Sequence, residues 1–187
     1  MSQNIIKKNE LFFFNREKVD FKIVENNTPF YFSLPGRTIF LSSGLIEKYI
    51  KSEKLLYCLI SYELIRIEKN LYNRISVVPT GSMTLERMMG ASRLKMREKV
   101  EIHKWAFHVL NRAGIDVDNY LAWLQILNRN SIDFSLQLGD VRSISREESL
   151  FKAFLIKNST KVSSTTKYEG SSRNYYRFIN SLKRTTL

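Results

Sequence analysis

Apolar and polar residues alternate along the first quarter of the chain in a way that predicts short strands. Residues 19–23 change between apolar and polar at every step, which is the period of a half-buried strand. Two apolar runs, 30–34 and 38–41, lie on either side of a Pro-Gly turn and predict a hairpin. A Ser-Ser-Gly sequence at 42–44 then offers an N-terminal cap for a helix that begins near Leu45.

The pattern changes to helical spacing in the middle of the chain. Apolar residues recur from 55 to 71 over a wide arc, which predicts a buried central helix with Ser52 as its N-cap. Three more helices are predicted at about 84–111, 117–127 and 145–156. The first of these has an interruption near Gly90 and ends at Gly114, a glycine in a C-cap-like position. Residues 128–142 are predicted to form a loop.

The composition shifts after residue 157, which we take as the end of a domain at 1–157. In the remaining segment, 158–187, eleven of the 30 residues are Ser or Thr and only one is acidic. This composition predicts a flexible linker at 158–170 within a basic tail. Apolar residues then fall on one helical face, which predicts a short amphipathic helix at 172–184.

Composition limits the classes of function. With 43% hydrophobic and 26% charged residues, the chain can form a core. The net charge of +12 favours nucleic acid, anionic lipid or an acidic protein as partner, without choosing among them. No apolar run approaches the roughly 18 residues of a membrane helix, and we expect no secretory leader. The single cysteine, Cys58, excludes an internal disulfide, so we expect a cytoplasmic or other reducing intracellular compartment.

Three segments, in this order and spacing, carry a resemblance to one protein family. The first, at 29–45, combines an apolar strand, a Leu-Pro-Gly turn, a second strand and a helix start. The second is Ser-Tyr-Glu-Leu-Ile-Arg at 61–66, and the third is Glu-Ile-His-Lys-Trp-Ala at 101–106, followed by Ala-Gly-Ile-Asp at 113–116. With a short closing helix, this set resembles the HtpX-like zinc metallopeptidases (gluzincins, peptidase family M forty-eight) over about residues 19–156.

The resemblance implies an α+β, zincin-like metallopeptidase domain with a small sheet packed on several helices. In that family an H-E-x-x-H sequence holds zinc through its two histidines, and its glutamate is the general base for the metal-bound water. The segment 61–66 stands at this motif, so Tyr62 and Arg66 occupy the two histidine positions and Glu63 occupies the general-base position. The third zinc ligand, a glutamate on a later helix, corresponds to Glu101.

These residue types are poor zinc ligands. A guanidinium has no lone pair to offer, and a neutral phenol has a pKa near 10. Glu63 and Glu101 alone do not complete a three-ligand site, so we expect no zinc and no other cofactor. We expect Arg66 to bridge to Glu101, and to Glu63, as a replacement for the metal charge. The alternatives are that Arg66 points into solvent, and that His103 rebuilds a zinc site with the two acids.

The sequence therefore favours a catalytically inactive metallopeptidase-like protein, a pseudopeptidase, that acts as a binding or scaffold component for a protein partner. A first alternative is a divergent, active metallopeptidase that holds zinc through other residues. A second alternative is a basic protein associated with nucleic acid, because basic and aromatic residues interleave in the tail. The candidate binding residues there are Arg173, Tyr175, Tyr176, Arg177 and Phe178.

Overall fold

A computed structural model gives the arrangement of most of the chain. It describes residues 1–14, 17–72, 84–158 and 170–185, with no side-chain description at 91 and 182–185. Within these ranges the chain is α+β, and a three-stranded sheet packs on several helices, as the sequence predicts. Residues 159–169 of the predicted linker lie outside the described residues.

The sheet contains the three predicted strands, β1 (Asp20–Val24), β2 (Tyr31–Leu34) and β3 (Thr38–Ser42). Strand β3 lies in the middle: it pairs antiparallel with β2 in the predicted hairpin and parallel with β1. Gly36 and Arg37 both have positive φ, 96° and 64°, in the turn between β2 and β3. Glycine adopts this conformation without steric cost, which explains the Pro-Gly sequence at the turn.

Helices form most of the remaining described structure. They are α1 (Ser2–Lys8), α2 (Ser43–Lys48), α3 (Glu53–Glu68), α4 (Leu85–Ser92), α5 (Met96–Ala113), α6 (Asp118–Arg129), α7 (Ser135–Leu138), α8 (Ser143–Asn158) and α9 (Arg173–Thr185). The helix predicted at 84–111 is interrupted as expected: α4 ends at Ser92 and α5 begins at Met96, so the break lies a few residues after Gly90. The predicted loop at 128–142 contains the short α7. In the described ranges, no helix has both the length and the apolarity needed to cross a membrane.

The predicted helix-end signals are confirmed for α2, α3 and α5, whereas Ser145, predicted to cap the helix at 145–156, lies inside α8, which begins at Ser143. The Ser52 hydroxyl accepts a hydrogen bond from the Leu55 amide at 3.3 Å and caps α3. The Ser42 hydroxyl does the same for α2, from the Leu45 amide at 3.2 Å. Gly114 adopts a left-handed conformation, with φ of 73°, and ends α5.

Helix α3 is the centre of the fold, as its wide apolar arc predicts. It packs against β2 and against α1, α5 and α6, and Leu59, Leu64 and Ile65 on it are at most 1% exposed. Because neighbours surround this helix on several sides, a polar residue on its buried face is enclosed in the core and needs a partner there.

The tail helix α9 is attached to the domain at the start of α3. The Tyr175 hydroxyl donates a hydrogen bond to the Ile50 carbonyl at 2.7 Å, and Tyr175 is buried. The Glu53 carboxylate accepts a hydrogen bond from the Ser172 amide at 2.6 Å, and the Glu53 amide donates to the Ser171 hydroxyl at 3.0 Å. Helix α9 is thus part of the folded domain through contacts at its first turn.

Gly44 offers a test of how closely α2 approaches the turn before β2. A methyl group at this position would collide with the backbone of Asn26 and Asn27. We expect Gly44→Ala to lower the free energy of unfolding by about 1–3 kcal/mol. The matched control is Gly90→Ala in α4, where a methyl group meets nothing within 4 Å; alanine should stabilise that helix by about 0.5–1 kcal/mol. Urea unfolding followed by circular dichroism measures both, and a stabilising Gly44→Ala would contradict the close approach.

Candidate functional site

The residues of the 61–66 segment lie on the buried side of α3. Glu63 is completely buried and Arg66 is 2% exposed, whereas Tyr62 is half-buried. Tyr62 and Arg66 are four residues apart, so one helical face presents both side chains, as the sequence predicts. The alternative in which Arg66 points into solvent is wrong, because α3 is enclosed by its neighbours at this position.

Arg66 is held by contacts along its whole side chain. Its Nη1 lies 3.7 Å from the Glu63 carboxylate. Its Nε donates a hydrogen bond to the Leu71 carbonyl at 3.2 Å, and its Nη2 donates to the Ser92 carbonyl. The guanidinium also lies 5.3 Å from the centre of the Tyr72 ring. The end of α3 and the end of α4 therefore fix the cation beside Glu63.

Glu63 depends on this cation. Burial raises the pKa of its carboxyl group, whereas the Arg66 guanidinium and, more weakly, Ser33 lower it. Among the described residues, neither carboxylate oxygen has a hydrogen-bond partner of normal geometry. A buried carboxylate without hydrogen bonds is costly unless an opposite charge is close, so Arg66 is the main group that favours the ionised form of Glu63.

Glu101 is not part of this arrangement, and the predicted bridge from Arg66 to Glu101 is wrong. The Glu101 side chain is 49% exposed and lies 3.4 Å from the ammonium group of Lys69 at the surface. The reason is the phase of helix α5. Residues two apart on a helix are rotated by about 200°, so Glu101 faces away from α3 when Lys99 and His103, on either side of it, face inward.

A second buried polar group stands where Glu101 was expected. His103 approaches the Glu147 carboxylate with Nε2 at 3.1 Å and the Tyr120 hydroxyl with Nδ1 at 2.8 Å. The Lys99 ammonium donates to the same carboxylate at 2.7 Å. Burial raises the pKa of Tyr120 well above 10, so its hydroxyl stays protonated and can donate to Nδ1 while Nε2 donates to Glu147. Helices α5, α6 and α8 thus meet at one hydrogen-bonded group.

Glu147 differs from Glu63 in its electrostatics. Burial raises the pKa of the Glu147 carboxyl group, but the hydrogen bond from His103 and the charge of Lys99 together outweigh it. The net result is a pKa below the ordinary value. Glu147 is therefore a well-supported carboxylate, whereas Glu63 relies mainly on the guanidinium at 3.7 Å, with a weaker contribution from Ser33.

Arg66 and the group formed by Lys99, His103 and Glu147 line one small cavity of about 40 Å³. Its walls include Tyr62 and Arg66 from α3, Lys99 and His103 from α5, and Glu147 from α8. The charged side chains of this wall are Arg66 and the pair of Lys99 with Glu147, whereas Glu63, the partner of Arg66, is not among its lining residues. The volume holds on the order of two or three water molecules and is far too small for a polypeptide chain.

The residues present do not fit the zinc ion that the family resemblance implies. Burial raises the pKa of Tyr62 well above 10, so its phenol stays protonated. Arg66 offers no lone pair, and both ring nitrogens of His103 already have partners. The rebuilt site of His103, Glu101 and Glu63 is also wrong, since Glu101 lies at the surface. In the part of the chain that the structure describes, no three His, Cys, Asp or Glu residues are grouped as metal ligands.

The structure separates the candidate binding residues of the tail into two sets. Tyr175 is buried, and Phe178 packs against the core, so these two serve contacts within the chain. Arg173, Tyr176 and Arg177 are exposed, Tyr176 by 55%. Only this second set is available on the outer face of α9.

Sequence reasoning missed Lys99, Tyr120 and Glu147. Lys99 lies in a basic run, a pattern typical of a solvated face, but it is four residues before His103 and shares its helical face. Glu147 falls between Ile144 and Phe151 at helical spacing, on the buried side of α8. These two spacings were the available signals, although neither shows that the two faces meet.

Comparison with known proteins adds no relative. No family model, no curated protein and no solved structure matches this chain. The likeness to HtpX-like metallopeptidases therefore rests on the segments at 29–45, 61–66 and 101–116 alone.

Proposed function

We propose that this chain is a catalytically inactive metallopeptidase-like protein, a pseudopeptidase, that acts as a binding or scaffold component for a protein partner. The observation that carries the proposal is the buried ion pair of Arg66 with Glu63. These two residues stand where the resemblance places a zinc ligand and the general base. The Arg66 guanidinium thus occupies the position at which the resemblance would place a zinc-binding imidazole.

The chemistry of peptide hydrolysis explains why this ion pair argues against catalysis. A general base must be able to take a proton from a positioned water, which requires a carboxylate within hydrogen-bond reach of that water. The Glu63 carboxylate is completely buried and paired with a guanidinium instead. A divalent ion at the same place would also meet the positive charges of Arg66 and Lys99 across a small cavity, which is unfavourable at low dielectric.

The zincin-like arrangement is part of the same proposal. It is supported by the order of a hairpin, a central buried helix that carries the 61–66 segment, and two later helices, α5 and α8, that close on it. The proposal includes a reducing intracellular compartment, which is supported by the free, buried thiol of Cys58.

Elemental analysis and a peptidase assay on the purified full chain test the loss of catalysis. We expect no stoichiometric zinc after dialysis against a zinc-containing buffer. We also expect no casein hydrolysis that 1,10-phenanthroline abolishes, because the described residues around Glu63 include no suitable set of zinc ligands. The matched control is Glu63→Gln, which should equal the unchanged chain in both measurements. One zinc per chain, together with hydrolysis that both the chelator and Glu63→Gln abolish, would establish the active metallopeptidase instead.

A further inference from the structure

The outward face of α5 forms the floor of an open groove on the opposite side of the helix from the buried site. The groove has a volume of about 410 Å³. Trp105 and His108 lie along it, with Phe12 from the segment after α1 at 4.7 Å from the Trp105 ring and Phe154 from α8 at 6.4 Å from the His108 ring. Helices α5 and α8 and the segment after α1 therefore contribute aromatic walls to one concave surface.

Positive charge surrounds these aromatic walls. Lys104 and Arg112 are exposed on the groove-lining face of α5. The one acidic side chain that lines the groove, Glu101, is paired with Lys69, so this pair adds no net charge. The groove is therefore basic on a chain of net charge +12, and its electrostatic complement is an acidic ligand.

Exposed apolar side chains accompany the groove. Leu11 and Phe14 are 83% and 84% exposed and lie within two positions of Phe12 in the chain. Single exposed apolar residues are ordinary, but two of them this close in the chain to a groove-lining aromatic residue are typical of an interaction surface.

The groove also contains a buried amide. Asn9 is 1% exposed, and its amide nitrogen donates to the Ile5 and Val109 carbonyls, both at 3.0 Å. Its carbonyl oxygen has no hydrogen-bond partner among the described residues. Asn9 lines the groove, and its two donated hydrogen bonds tie the end of α1 to α5 there; its carbonyl oxygen is enclosed by protein and is not presented to a ligand.

We propose that this groove binds an acidic peptide segment of a protein partner, with an apolar or aromatic side chain packed against the exposed surface of Trp105 and His108 and its carboxylates beside Lys104 and Arg112. A concave groove suits a chain better than a flat bilayer, which would leave it unfilled. Stacked bases suit it less, because the Lys69 ammonium lies 4.5 Å from the Trp105 ring centre and Phe12 packs on the same ring. The proposal goes beyond the pseudopeptidase assignment and does not depend on it.

Selection from a random twelve-residue peptide library against the full-length chain tests the groove. Enriched peptides should combine Asp or Glu with a large apolar residue. Fluorescence anisotropy should then show that Trp105→Ala, and separately the pair Lys104→Glu with Arg112→Glu, weaken binding by about tenfold or more. The matched control is Lys22→Glu with Arg129→Glu, which makes the same charge change on exposed residues. Arg129, like Arg112, lies in the last turn of its helix. This control variant should bind the selected peptides as tightly as the unchanged chain does. Circular dichroism checks that all variants fold.

Three results would overturn the proposal. The first is a selection that enriches no peptides. The second is a set of enriched peptides that bind the groove variants and the control equally well. The third is binding of a deoxythymidine oligonucleotide, or of vesicles containing phosphatidylserine, that the groove variants lose while peptide binding persists. None of these results bears on zinc content or hydrolysis, so the groove and the loss of catalysis fail separately.

Discussion

Replacing Arg66 with alanine is expected to lower the free energy of unfolding at neutral pH by about 3–5 kcal/mol, the usual cost of leaving one buried charge without its partner. The substitution leaves the Glu63 carboxylate in the core without its counterion. It also removes the donors to the Leu71 and Ser92 carbonyls. Urea unfolding at pH 7, followed by circular dichroism, measures the loss.

A rescue experiment separates this pair from a general packing defect. Adding Glu63→Gln to Arg66→Ala should recover part of the loss, because it removes the unpaired charge. Adding Glu101→Gln in the same background should recover nothing, since Glu101 pairs with Lys69 at the surface. Equal recovery by both would show that the two acids share Arg66, as the sequence suggested. A loss below about 1 kcal/mol for Arg66→Ala would place the side chain among ordinary surface ion pairs.

The same variant should depend on pH in a defined direction. Burial raises the pKa of Glu63 above the ordinary value of 4.5, and removal of Arg66 raises it further. Below about pH 4.5 the group is protonated in both the folded and the unfolded state, so Arg66→Ala should then cost less. As the pH rises towards the folded pKa, the unfolded state releases its proton first, and the stability of the variant falls. A loss of equal size at acidic and neutral pH would contradict an ionised Glu63.

Local patterns were sufficient for much of the fold and failed at identifiable places. The hairpin, the central helix α3 and the caps at Ser42 and Ser52 follow from short-range spacing and turn chemistry. Helix α1 was not predicted, because its only apolar pair is Ile5 and Ile6, which is too short to show a period. Its seven residues depend on packing against α3 and α5, which the sequence does not display.

The candidate site was partly predictable for the same reason. The spacing of four residues correctly placed Tyr62 and Arg66 on one face. The choice of Glu101 ignored the phase of α5, although the buried apolar residues Ile102 and Ala106 already define its inward face. Glu147 is 48 residues from Lys99 in the chain, and no local pattern predicts a contact over that separation.

The Glu147 group should supply the other large stability effect. We expect Glu147→Gln to lower the free energy of unfolding at neutral pH by roughly 3 kcal/mol, since the amide leaves Lys99 without its counterion in a largely buried position. In the unchanged chain the folded pKa of Glu147 is below the ordinary value of 4.5. Its contribution is therefore complete above about pH 4.5 and is lost as the pH falls through the folded pKa. Urea unfolding across this range should show the difference between the two chains shrinking in acid.

The neighbouring acid provides the control for this prediction. Glu148 also has a lowered pKa, mainly through hydrogen bonding with Lys152, whose side chain is 46% exposed. Glu148 is 8% exposed, but a glutamine oxygen can still accept from Asn128, and the Lys152 ammonium that loses its partner lies at the surface, so Glu148→Gln should cost only about 1 kcal/mol or less. If the two variants lose the same stability, the link between Lys99, His103 and Glu147 is no stronger than a surface ion pair. A larger loss of unfolding free energy for Glu147→Gln, which becomes smaller in acid, would identify this carboxylate as the group that joins α5 to α8. The contribution of Glu63 on α3 has the opposite pH dependence, because its folded pKa is raised and not lowered.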